Sequence, residues 1–259
     1  SNGDATLSEG IITAESGDDG IHADSNLLLN GSTITILKSY EGIEASTITV
    51  DAGTIDVTAT DDGFNAAGGN DSSSLNRPGA NLFEANMDYQ LTFNDGTITV
   101  NAQGDGLDSN GLTTINGGEI IISGPENSGN GTLDAGGGTI VNGGTIVGAG
   151  SSGMAKGFSS DSEQVNVLYN LENSYSDGAL IEVKTSDGTM VLSWTTAKSF
   201  SSLLFSSSDL EVGETYIISI NGNEMELTLE NTTNSNGRGM NIDGMQQPGG
   251  GNRPGRFNP

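Results

Sequence analysis

Glu41-Gly42-Ile43-Glu44, followed by Thr47-Ile48-Thr49-Val50 and then Gly53-Thr54-Ile55-Asp56-Val57, is one complete unit of a repeat. Its opening phrase is an acidic residue, Gly, an apolar residue and an oxygen- or nitrogen-bearing side chain. It recurs as Asp19-Gly20-Ile21-His22, Asp62-Gly63-Phe64-Asn65 and Asp105-Gly106-Leu107-Asp108. A second landmark, Gly followed by one or two small or polar residues and Ile, recurs at Gly31, Gly53, Gly96, Gly118 and Gly144. The first landmark steps by 22, 21 and 43 residues and the second by 22, 43 and 22 up to Gly118. Both lengthen at the same place, so the chain carries an insertion there and not a lost repeat. A period of this size marks a solenoid, in which each coil buries its apolar side against its neighbours.

Between the glycines, Ile and Val alternate with Thr, the period-two pattern of half-buried strands. Asn, Asp and Gly occupy the bends, where their backbone tolerance is needed. No segment keeps a helical period, and the Leu-x-x-Leu-x-Leu pattern of leucine-rich repeats is absent. The fold class predicted is all-β: a right-handed parallel β-helix over residues 1–160. An inserted loop spans about 68–89, a mainly antiparallel β segment at 161–231 caps or flanks the last coil, and a flexible Gly/Pro/Asn-rich tail covers 232–259. The hairpin turns expected in the cap are Asp177-Gly178, Asp187-Gly188 and Asn221-Gly222.

The formal charge is −26, from 34 acidic and 8 basic residues. Nucleic acid is excluded as a partner because its phosphates need a basic surface. The chain has no Cys, and no apolar run reaches the ~20 residues of a membrane span. It begins at Ser1 with no signal-like segment, and the expectation is that a targeting peptide has been removed. Oligomeric state is not set by the sequence.

Coils ~4.8 Å apart would stack the acids. Asp19, Glu41, Asp62 and Asp105 form one column; His22, Glu44, Asn65 and Asp108 form another, with Asp18 and Asp61 beside them. Like charges ~4 Å apart repel by ~1 kcal/mol in water and ~4 kcal/mol at an effective dielectric of 20. Protons or cations must relieve such a stack. Calcium, with 6 to 8 oxygen ligands in flexible geometry, suits the donors available. Zinc is disfavoured by a single His and no Cys, and His22 is assigned no role. A solvated acidic edge of ordinary Asp-Gly turns is the alternative.

Gly104-Asp105-Gly106-Leu107-Asp108-Ser109-Asn110-Gly111, the run from Ser123 to Gly131 followed by Asp134, and Gly150-Ser151-Ser152-Gly153-Met154-Ala155 resemble the clostridial carbohydrate-binding β-helix proteins, a former domain of unknown function. The likeness extends to Ser199–Ser202 and Gly213–Tyr216 and so covers nearly the whole chain. It implies an extracellular or cell-surface, calcium-binding protein whose partner is a plant cell-wall polysaccharide, polygalacturonate or cellulose. Its fold is similar to that of family-nine pectate lyases, whose Asp-Asp-x-x-Asp calcium motif is matched by Asp61-Asp62-Gly63-Phe64-Asn65, with Glu41 as the neighbouring acid. The candidate metal ligands are therefore Asp18, Asp19, Glu41, Glu44, Asp61, Asp62, Asn65, Asp105, Asp108 and Asp134. The candidate ligand-contacting residues are Lys38, three positions before Glu41, Tyr40, and Arg77 and Phe83 in the inserted loop. A non-catalytic polysaccharide-binding module is the first reading. A pectate lyase acting by β-elimination would need a Lys or Arg base beside the metal, and Lys38 is the cation nearest the stack in sequence. A structural or adhesive surface β-helix is the third reading.

Overall fold

The computed structural model describes residues 1–67 and 85–236, and these contain strands and no α-helix. No helix among them is long and apolar enough to cross a membrane. The long strands Ile21–Ser39 and Ile43–Ala59 lie side by side in parallel and bend at shifts of register, so each is one coil with three faces. Strands before and after them extend the stack in the same direction, forming a parallel β-solenoid of about six turns.

The repeat pattern becomes the core directly. On one face, Ile12, Ile34, Ile55, Ile98, Ile120 and Ile146 pair in unbroken succession through all six coils. On the next, Leu7, Leu29, Val50, Phe93, Ile115 and Val141 do the same. The intervening Thr residues point outward, because successive side chains of a strand leave on opposite faces. Phe64 and Phe93 are fully buried and meet edge to face, with ring centroids 5.2 Å apart. They stand in one coil on either side of the insertion, where these larger side chains fill the interior.

The long step of the repeat is an insertion within one coil. Ile43 pairs with Phe64 and Phe64 with Leu107, while Ile55 pairs directly with Ile98, so no coil intervenes. Arg77 and Phe83, named from sequence as ligand-contacting, lie outside the described residues. The end of the insertion returns along the solenoid wall, with Asn86 N–H donating to Asn110 O at 2.9 Å.

The cap continues the solenoid sheet with reversed polarity. The last coil strand, Thr145–Gly150, pairs antiparallel with Phe200–Ser206, which pairs antiparallel with Asn166–Tyr175. A second sheet, in the order Met190–Thr195, Leu180–Thr185, Thr215–Ile220, Asn223–Thr228, is antiparallel throughout. Together they enclose a separate core around Trp194, Phe205, Tyr216 and Ile218. Asn221 and Gly222, with φ of 51° and 82°, make the tight hairpin expected of an Asn-Gly pair. Asp177-Gly178 behaves differently: it hands the chain from one sheet to the other, because the strands on either side of it do not pair with each other. Part of the expected tail is also structured. Thr233–Ser235 pairs in parallel with Asn166–Leu168, while residues 237–259 lie outside the described residues.

Candidate functional site

The acidic phrase forms the bend that leads into the first face of each coil. Gly20, Gly42 and Gly63 each donate an N–H to the carbonyl of the acidic residue one coil on, Glu41, Asp62 and Asp105, all at 2.9 Å. Gly106 completes the row by donating to Gly131 O at 3.1 Å. A Cβ on Gly42 would stand 2.2 Å from Gly63 O and 2.3 Å from a Val57 methyl, so close coil contact excludes any side chain here. The fixed bend stacks the flanking side chains in register.

Two columns result. The first holds Asp19, Glu41, Asp62 and Asp105. The second runs His22, Glu44, Asn65, Asp108 and Asp134 through consecutive strand pairs, and Lys156 meets its far end by an ion pair with Asp134. This column therefore begins and ends on a cationic side chain, with acids and one amide between.

The side chains shield one another from water: Glu41 and Glu44 are each 4% exposed and Asn65 is 5%. Asp62 Oδ1 accepts the Asp105 N–H at 2.6 Å, and Asp105 Oδ1 accepts that of Gly131 at 2.5 Å. Asn65 Nδ2 donates to Glu41 Oε2 at 2.7 Å, but Asn65 Oδ1 is buried without a hydrogen-bond partner. On another corner of the solenoid the chemistry differs. Asn142 donates to Asn116, Asn116 to Asn94 and Asn94 to Asp51, a ladder in which each amide serves the next. Carboxylates only accept, so the acidic columns cannot satisfy themselves that way.

Their electrostatics record the deficit. Burial pushes the Asp62 carboxyl up to about 9, helped by the charges of Asp108, Asp105 and Asp61. Burial likewise raises Asp108 well above its ordinary value, with Asp105 and Asp134 adding to it. Glu44 is raised to about 8 by burial and by Glu41, and Asp105 to about 6 by burial. Burial opposes the imidazolium of His22, yet hydrogen bonds to Asp19 and Asp24 and the charge of Glu44 carry it up to about 9.

Most of the residues singled out from sequence meet at these columns, with distinct fates. Asp19, Glu41, Glu44, Asp62, Asn65, Asp105 and Asp108 belong to them. Asp134 is held by Lys156. Asp18 is exposed, and it is its backbone carbonyl that binds Tyr40 N–H. Tyr40, 45% exposed, is a hydrogen-bond partner of Asp61, which pushes its phenol up to about 12. Lys38 is exposed on the preceding strand, and the lysine that reaches the columns is Lys156, distant in sequence from the acidic phrases. His22, given no role from sequence, lies with its Nδ1 2.8 Å from Asp19 and 2.9 Å from Glu44. Among the described residues, Asp19, His22 and Glu44 are the group whose metal-ligating atoms lie within 4.8 Å of one another. Both cations sit at the same offset in the repeat as the acids, and that offset was the signal available in the sequence.

The middle of the columns is rich in oxygen donors of the type calcium takes: the carboxylates of Asp62, Asp105 and Asp108 and the unpartnered Asn65 Oδ1, although these three carboxylates do not meet within 4.8 Å as the Asp19, His22 and Glu44 atoms do. Gly104 leaves room there: a Cβ at this position would lie 2.3 Å from Asp62 Oδ1 and 2.6 Å from Asp61 Oδ1. The fold and site thus define a capped parallel β-solenoid carrying a half-buried acidic double column. No family model, curated protein or solved structure matches the chain.

Proposed function

We propose that this protein is a non-catalytic, calcium-dependent binder of acidic polysaccharide, acting outside the cell. The observation that carries the reading is the pair Asp62 and Asp108, half-buried carboxyls both raised by desolvation, Asp62 also by the charge of Asp108 and Asp108 by that of Asp105, with the columns' cations, His22 and Lys156, at the opposite ends. Calcium at the middle of the columns would supply the missing positive charge and, through a coordination position open to solvent, a bridge to a uronate carboxylate. A chain of charge −26 has no other evident means of meeting an acidic polymer. Polygalacturonate is the first candidate, on charge and on the sequence resemblance, with cellulose second. Two of the coil aromatics, Phe64 and Phe93, are core residues and cannot stack on a sugar ring, which leaves Tyr40 exposed and favours the charged polymer.

A binding role fits the cations better than elimination does. Lys156, the basic side chain at the columns, donates to Asp134, and its charge is committed to that acid. Electrophoresis through a gel containing polygalacturonate tests the proposal. Retardation in calcium that disappears with a chelator is expected, and equal migration in both would sink it. Ultraviolet absorbance from unsaturated products would instead make the protein a lyase.

A further inference from the structure

The N-terminal end of the columns differs chemically from the middle. His22 is the single histidine of the chain, and its ring is gripped on both sides. Nε2 lies 3.1 Å from Asp24 Oδ1, while Nδ1 faces two carboxylates, Asp19 at 2.8 Å and Glu44 at 2.9 Å. One ring nitrogen has one site for a proton or a metal, and it cannot donate a well-aligned bond to both acids. Glu44 Oε2 accordingly is buried yet accepts no hydrogen bond of good geometry, although it points at that nitrogen.

If Nε2 carries its proton toward Asp24, Nδ1 presents a lone pair to two carboxylates, an arrangement that calls for a cation between them. A carboxylate fixing the far nitrogen of a histidine is also what orients imidazole toward a metal. We propose that Asp19, His22 and Glu44 form a second cation site, which takes a first-row transition cation, zinc first, with Asp24 positioning the ring.

Donor identity and spacing both point this way. One imidazole nitrogen and two carboxylate oxygens suit zinc, whereas calcium favours oxygen alone. Two donors bound tetrahedrally at about 2.0–2.1 Å stand ~3.3 Å apart. The nitrogen-to-oxygen distances of 2.8 and 2.9 Å therefore need only a small spreading. His22 is 27% exposed in its side chain and Asp19 10%, so water or a ligand oxygen can complete the shell from the solvent side. In the metal-free protein a proton on His22 serves the same neutralising role, and metal must displace it. The site is independent of the calcium reading, because it uses the other end of the columns.

The test uses the full chain, stripped of cations, titrated calorimetrically with zinc chloride and then with calcium chloride. One zinc equivalent is expected that excess calcium does not displace. His22→Asn should weaken it about tenfold or more, while Asp62→Asn should leave it unchanged. Copper(II) bound to the unaltered protein provides a readout that needs no variant: its electron paramagnetic resonance spectrum should show coupling to one imidazole nitrogen. An all-oxygen copper spectrum, unchanged zinc affinity in His22→Asn, or ready displacement by calcium would each overturn the proposal. Loss of zinc binding in Asp62→Asn would instead show that there is only one site, at the middle of the columns.

Discussion

Asp62 closes the backbone of the neighbouring coil: its Oδ1 accepts the N–H of Asp105 at 2.6 Å. Asp105 repeats the contact with Gly131. The bond needs an acceptor and not a charge, so an Asn could make it equally well. The charge therefore has to be explained by something other than the turn.

Asp62→Asn separates the two roles. It keeps an oxygen for the Asp105 N–H and removes a carboxyl that must otherwise hold a proton or a charge beside Asp105 and Asp108. In chelator the variant should melt higher, by the equivalent of ~1 kcal/mol or more, and the upward shift of the melting temperature on adding calcium should shrink. A lower melting temperature in chelator would show that repulsion is not what the columns suffer.

Stability without cations should fall as pH rises. Asp62 and Glu44 are raised from 3.8 and 4.5 to about 9 and about 8, and His22 from 6.5 to about 9. In each case the folded chain holds a proton that the unfolded chain releases. Their contribution is complete below the unfolded values, near pH 4 for the acids, and is lost as pH climbs through 8 to 9. Melting scans in chelator should therefore decline from pH 5 to pH 9, and saturating calcium should flatten the slope. A level profile in chelator would contradict the buried deficit.

Gly42→Ala should destabilise the solenoid by about 3 kcal/mol, at the upper end for overpacking. Its methyl would fall 2.2 Å from a backbone carbonyl that cannot move without opening the next coil. Urea unfolding would measure this, and a cost below about 0.5 kcal/mol would mean that the coils separate more easily than their spacing suggests.

Lys156→Met should weaken the cation-free protein and tighten calcium binding by up to about fivefold, because Asp134 then adds an uncompensated charge beside Asp108. The pair is partly exposed, which limits the effect to ~1 kcal/mol. Calorimetry on the two proteins would decide, and weaker calcium binding in the variant would place Lys156 among the groups that support the site.

Much of this was legible in the chain. The Ile of each of the five Gly landmarks joined Ile12 in the six-residue Ile column of the core, and the two landmarks together located the insertion in a single coil. The acids at Glu41, Glu44, Asp62, Asp105 and Asp108 were found because they repeat. Lys38 stands near Glu41 in sequence, but the fold places it exposed on the preceding strand, opposite Glu15. His22 stood in the second column but was given no role, and Lys156, at the same offset, follows no acidic-Gly phrase.

The sequence by itself determined the coil, since a strict period leaves each apolar residue only the equivalent residue of the next coil to pack against. It also determined that negative charge must gather along one edge. Only the tertiary structure decided which carboxylates are buried, which accept backbone N–H groups and which meet a cation. Those outcomes depend on side-chain direction and on solvent exclusion by neighbouring coils, over distances of 2.6 to 2.9 Å that a repeat of about 22 residues does not encode.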